Sequence, residues 1–312
     1  MIEASPVDVE AVRSCHPDSH IETVRSAAEA GGGWLDGDTP VSELSFETAL
    51  EACGGAVDAV DLVLGGDRIH PAAFALIRPP GHHATPDRAM GFCLFNNAGV
   101  AARHAQREHG VERVAIIDWD VHHGNGTQDV FYEDPSVLFI SLHQWPLYPG
   151  TGWLDEIGRG DGAGSTVNVP MPPGAGDRNW VEAFERVVEP TVESFDPGLV
   201  IVSAGQDGHH ADGLSNQALT GAAYLAMAHR VGSLAGGLGA GLVAVHEGGY
   251  NPETLPMLDR LILEGFDAGL SGEGVPNPAS LDEPDGAVAL PSDEWEARLE
   301  EVVVAQRPFR NL

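Results

Sequence analysis

The sequence predicts a single α/β domain built on a mostly parallel sheet. Three observations predict it. Short apolar runs rich in Val, Ile and Phe recur along the chain. Stretches rich in Ala, Glu and Leu, with apolar residues three and four apart, lie between them. Polar clusters then follow several of the apolar runs directly. Strands that alternate with helices need crossover connections, and those crossovers cover both faces of a parallel sheet.

The elements are expected in this order. The stretch 46–64 has helical spacing. "AFALI" (73–77) reads as a strand, followed by a helix over 96–109. "RVAIID" (113–118), "VLFISLH" (137–143) and "TVNVP" (166–170) are strands, and 178–194 is a helix. "LVIVSAG" (199–205) is the next strand, 218–236 the next helix, and "GLVAVHEGG" (241–249) the last strand. The Gly/Pro-rich stretch 270–293 reads as a loop, and 293–305 as an acidic terminal helix. No repeat or linker divides residues 1–312, so one domain is expected.

With 312 residues, 43% of them hydrophobic, the chain can bury a sizeable core. No apolar run reaches the roughly 18 residues of a membrane span. The opening "MIEASPVDVE" has no basic segment before an apolar block and does not read as a signal peptide. Three scattered cysteines form no C-x-x-C site and suggest a reducing cytoplasm. The charge is extreme: 47 acidic residues against 16 basic ones, a net charge of −31, with arginine as every basic residue and no lysine. That balance reads as adaptation to a salty cytoplasm. At about 1 M salt the Debye length is near 3 Å, which screens carboxylate repulsion. It also argues against direct nucleic-acid binding, which needs a basic surface, while a cationic substrate would be attracted. No oligomeric state is legible.

Four polar clusters fall at strand ends: "RPPGHHA", "DWDVHHGNG", "SAGQDGHH" and "HEGGY". Ligands of open parallel sheets bind outside the carboxyl ends of the strands, so the four are expected to share one crevice. Alternation along an extended chain predicts that Asp118, Asp120 and His122 point the same way. Asp207, from another strand end, can complete a ligand set. Two carboxylates and one imidazole with an open position suit a catalytic divalent metal such as Zn²⁺, and Fe²⁺ or Mn²⁺ also fits.

The motifs "RPPGHHA", "GFCLFNN", "DWDVHHGNGTQD", "SLHQWPLYPGTG", "SAGQD" and "EGGY" resemble those of the zinc-dependent histone deacetylases. The similarity runs over residues 10–265 and is to the class II branch and its bacterial and archaeal relatives, which include acetylpolyamine amidohydrolases. The resemblance implies the arginase/deacetylase fold, with a mostly parallel sheet of about eight strands. It implies hydrolysis of an N-acetyl amide, in acetylated proteins or acetylpolyamines, to amine and acetate. It makes Asp120, His122 and Asp207 the zinc ligands.

By the same resemblance His83 is the general base and acid, and His82 its electrostatic partner. Asp118 orients His82 and Asn125 orients His83. Tyr250 polarises the acetyl carbonyl, and its presence favours an active enzyme over a non-catalytic binding module of the same fold. Gly248 and Gly249 let the chain turn there. Gly91, Phe92 and Tyr148 correspond to the acyl-lysine tunnel, and Asp38 to a rim aspartate that grips substrate backbone. K⁺ is implied beside the zinc, held by the backbone carbonyls of Asp118, Asp120, His122 and Ser141 and a carboxylate oxygen of Asp120. An arginase-like ureohydrolase would instead carry an Asp-x-His-x-Asp run. Relatives also have a longer segment ahead of "CHPDSH", so a shortened N-terminal part is expected here.

Overall fold

A computed structural model describes residues 2–66, 70–276 and 292–310. Two short helices open it, α1 (Val9–Val12) and α2 (Asp18–Glu29), then a hairpin of β1 (Gly33–Asp36) and β2 (Thr39–Val41). Helix α3 (Ser45–Leu64) leads to β3 (Ala72–Ala75), and α4 (Asn97–His109) to β4 (Val114–Asp118). There follow α5 (Asn125–Phe131), β5 (Val137–Gln144), β6 (Thr166–Met171), α6 (Asp177–Ala183) and α7 (Glu189–Phe195). The chain ends with β7 (Leu199–Ala204), α8 (Gly221–Leu238), β8 (Gly241–His246), α9 (Leu255–Leu270) and α10 (Ser292–Gln306).

The main sheet has the order β3-β8-β7-β4-β5-β6, and every pairing in it is parallel. Its six strands are the six expected from the apolar runs. The resemblance implied about eight; among the described residues the sheet has six, and the only other strands form the separate antiparallel hairpin. The last strand stops at His246 rather than running to 249. The expected loop 270–293 falls largely on 277–291, outside the described residues.

Alternation along buried strands sorts side chains to two faces. Val114 and Ile116 point to the face covered by α3 and α4, in a core with Val60, Ala101 and Phe139. Ala115 and Ile117 point to the other face, packed with Trp180, Val231, Phe266 and Trp295 of the later helices. The strands are therefore apolar throughout instead of alternating, as a sheet covered on both sides requires. The expected helix 178–194 is interrupted by a π-turn at Phe184–Val188. Pro190, at the start of α7, lacks the N–H that would continue the regular ladder.

Candidate active site

The four polar clusters leave β3, β8, β7 and β4, which are consecutive in the sheet. Adjacent strands in parallel register deliver all four clusters to the same carboxyl edge. There a cavity of about 230 Å³ is lined by Asp38, His82, His83, Gly91, Phe92, His122, Tyr148, Leu214 and Tyr250.

The expected ladder from Asp118 to His122 does not form. Strand β4 ends at Asp118 and the chain bends through 120–122. Side-chain-to-backbone hydrogen bonds hold the bend: Asp120 N–H donates to Asp118 Oδ1 (3.0 Å), and His122 N–H to Asp120 Oδ1 (2.9 Å). Asp118 accordingly turns to His82, whose Nδ1 lies 3.0 Å from its Oδ2. Asp120, His122 and Asp207 do meet, with their donor atoms within 4.8 Å of one another. His122 Nδ1 stands 3.1 Å from Asp120 Oδ1 and 3.0 Å from Asp207 Oδ2.

Both carboxylates are buried and braced from behind. Gly248 N–H donates to Asp120 Oδ2 (2.8 Å), and Val121 N–H to Asp207 Oδ1 (3.0 Å). A Cβ on Gly248 would come within 2.4 Å of Asp207 Oδ2 and 2.5 Å of Asp120 Oδ2, so only glycine fits. Burial, then the Asp120 charge, raises the Asp207 carboxyl above the usual range. Burial would lower His122, yet Asp207 and Asp120 push it up to about 10. Two buried carboxylates beside one imidazole concentrate negative charge that a divalent cation would neutralise, displacing any proton on the imidazole.

The histidine rings lie against each other with centroids 4.0 Å apart and planes tilted by 43°, and they have different partners. His83 Nδ1 lies 2.8 Å from Asn125 Oδ1; Asn125 Nδ2 is committed to Met90 Sδ, so the amide oxygen accepts from His83 Nδ1–H. Burial and the charges of His82 and His122 hold His83 well below its ordinary value. Burial opposes a proton on His82 as well, but Asp120 and Asp118 overcome it and raise that imidazole well above the ordinary value. Asp118 gives one oxygen to His82 and the other to the Asp120 N–H, whereas the Asp120 carboxylate would be shared with a bound cation.

The cavity walls are aromatic. Tyr148 stands edge-on to His83 at 5.1 Å, and its buried hydroxyl has no hydrogen-bond partner. Phe92 meets Tyr250 edge-on at 5.8 Å, and Arg78 stacks over the Tyr250 ring at 5.3 Å. Burial raises the Tyr250 phenol, so it keeps its proton. Phe92 adopts φ 67°, a strained conformation for a residue with a Cβ, and its ring lines the cavity beside Tyr250. A Cβ on Gly91 would strike the His83 ring at 2.3 Å, so glycine lets the backbone lie against the imidazole. Asp38, at the hairpin turn, accepts from Gly91 N–H (3.1 Å) and the Thr39 hydroxyl (2.9 Å), tying the rim to the Gly91–Phe92 turn.

A match to the histone deacetylase domain model covers residues 1–265. The chain belongs to the histone deacetylase family. It is 43% identical over 272 residues to a probable deacetylase of Archaeoglobus fulgidus, an alignment covering 86% of this chain and 75% of that one. Among solved structures, the HDA15 HD domain superposes with a TM-score of 0.87 at 36% identity, covering 99% of this chain and 81% of that one. The acetylpolyamine aminohydrolase of Burkholderia pseudomallei superposes with a TM-score of 0.78 at 32% identity, covering 85% of each. The central parallel sheet flanked by helices, with these neighbours, is the arginase/deacetylase fold.

Several residues at this cavity escaped the sequence reading. Glu247 is fully buried beneath it; its carboxylate accepts from Gly81 N–H (2.6 Å), His82 N–H (3.1 Å) and the Ser203 hydroxyl (3.1 Å), which anchors the histidine loop. Its place in "HEGGY" marked the cluster but not this contact. Leu214 and Arg78 reach the site from loops, where no periodicity flags them.

Proposed function

We propose that this chain is a metal-dependent deacetylase that hydrolyses N-acetyl amides, acetyl-lysine in proteins or acetylpolyamines, to the amine and acetate. One observation carries the reading: the Asp120–His122–Asp207 triad and the His82–His83 pair meet at one aromatic-walled cavity. The donor set fits zinc, with Fe²⁺ and Mn²⁺ also compatible. When bound, the cation supplies Lewis acidity toward an amide carbonyl and a water molecule.

The chain's own groups do the rest. With Nδ1–H given to Asn125, His83 keeps a bare Nε2 lone pair, and its surroundings favour the neutral form. It takes a proton from the attacking water and returns it to the leaving nitrogen. His82, bound to Asp118, stabilises negative charge nearby without moving a proton. Tyr250 donates its phenol hydrogen to the carbonyl oxygen as that oxygen becomes anionic. Gly91, Phe92 and Tyr148 enclose an extended alkylamine chain and exclude water from the amide. Asp38 offers a carboxylate to substrate backbone at the rim. Strand register pairs Asp118 with Ser141, which supports K⁺ held by the carbonyls of Asp118, Asp120, His122 and Ser141 with an Asp120 oxygen. The −31 charge supports a salty cytoplasm as the working environment. No helix among the described residues is long and apolar enough to cross a membrane.

Zinc-loaded protein given an acetyl-lysine peptide, acetylspermidine and arginine tests the reading. Acetate from either acetylated substrate, with no urea from arginine, is expected. Urea release, or no acetate from both, would contradict it.

A further inference from the structure

A second set of metal-ligating side chains meets far from the cavity. Asp61 lies in the last turn of α3, and His104 and His109 lie on the C-terminal half of α4. The Nε2 atoms of both histidines stand 2.7 Å from the same oxygen, Asp61 Oδ1. The two rings are 5.6 Å apart and edge-on. The three donor atoms lie within 4.8 Å of one another. The histidines are largely covered, at 13% and 19% side-chain exposure, while Asp61 is 51% exposed. The imidazoles are thus held by packing, and the point they face is open to solvent on the carboxylate side. Because α3 runs on toward the start of β3 and α4 toward the start of β4, the cluster sits at the amino ends of the strands, opposite the deacetylase cavity.

We propose that Asp61, His104 and His109 form a second metal site, a surface transition-metal site that clamps α3 to α4. An ion pair with Asp61 needs only one histidine; here two, from successive turns of one helix, converge on a single oxygen. Two imidazole nitrogens and one carboxylate oxygen, with the remaining positions left to water, are ligands for Zn²⁺, Ni²⁺ or Cu²⁺. Mg²⁺ and Ca²⁺ prefer oxygen ligands and are poorly served. A bound ion would displace the Nε2 protons now shared with Asp61 and join the two helices directly.

The test uses untagged, metal-stripped protein equilibrated with Zn²⁺ and counted by elemental analysis, with circular dichroism to confirm folding. Wild type is expected to hold two ions per chain. His104→Gln/His109→Gln should hold one and release acetate at the wild-type rate, because the site is remote from the cavity. Asp207→Ala should also hold one, and its remaining ion should disappear when Asp61→Asn is added. A wild-type count of one that is lost with Asp207→Ala alone overturns the proposal. So does a count of two that survives His104→Gln/His109→Gln. Since the surface count is read in the Asp207→Ala background, its failure is distinct from failure of the cavity reading.

Discussion

His83 Nδ1 lies 2.8 Å from Asn125 Oδ1, a neutral partner, while its neighbour His82 is bound to the carboxylate of Asp118. An amide holds an imidazole in one tautomer without adding charge; a carboxylate holds it and also favours the proton. In the proposed reaction that difference suits His83 to the role of base. Asn125→Asp should erase it. A new carboxylate raises the His83 value, and a protonated His83 accepts nothing, so the acid limb of kcat/KM should move to higher pH by about 1–3 units. A pH–rate profile checks this. An unmoved limb would remove His83 from the role of base.

Gly248→Ala is expected to weaken metal binding while leaving the fold intact. Its Cβ would collide with oxygens of both Asp207 and Asp120 and displace the N–H that braces Asp120. Loss of outer support of this kind weakens metal affinity by about 10–100-fold. Competition for zinc against a chelator of known affinity gives the number, and unchanged affinity would show that the two carboxylates can move aside together.

Tyr250→Phe keeps the ring against Phe92 and Arg78 and removes only the hydroxyl. A donor to a developing oxyanion matters most in the transition state, so kcat should fall by about 10²–10³ with KM nearly unchanged. Wild-type turnover by a folded, zinc-loaded variant, with chemistry rate-limiting, would contradict the role given to this phenol.

The six strands of the sheet were legible because each is buried on both faces and reads as a short apolar run between polar segments. The convergence of Asp120, His122 and Asp207 was legible because β4 and β7 are neighbours and both end in acidic clusters. The local geometry was not. Alternation placed Asp118 beside Asp120, but the strand stops at Asp118, whose carboxylate accepts from the Asp120 N–H and turns to His82. The β1–β2 hairpin was missed because its strands are four and three residues long and no residue of β1 is buried. Glu247 was missed because its partners, Gly81 and His82, lie more than 160 residues away in the chain.

The charge of −31 without a single lysine predicts a fold that tightens with salt. Carboxylate repulsion acts over a Debye length of about 10 Å at 0.1 M salt and about 3 Å at 1 M. The thermal midpoint should therefore rise from dilute buffer to molar KCl, and a midpoint that does not change would remove the case for a salty working environment.

The most direct measurement is acetate release by one preparation assayed three times on the same acetylated amine: as purified, after a chelator has stripped it, and after zinc is restored. The account predicts that acetate release falls to background on stripping and returns with zinc, while Asp207→Ala stays at background throughout. Stripped protein that still releases acetate at the original rate, or zinc-restored Asp207→Ala that matches wild type, would contradict it.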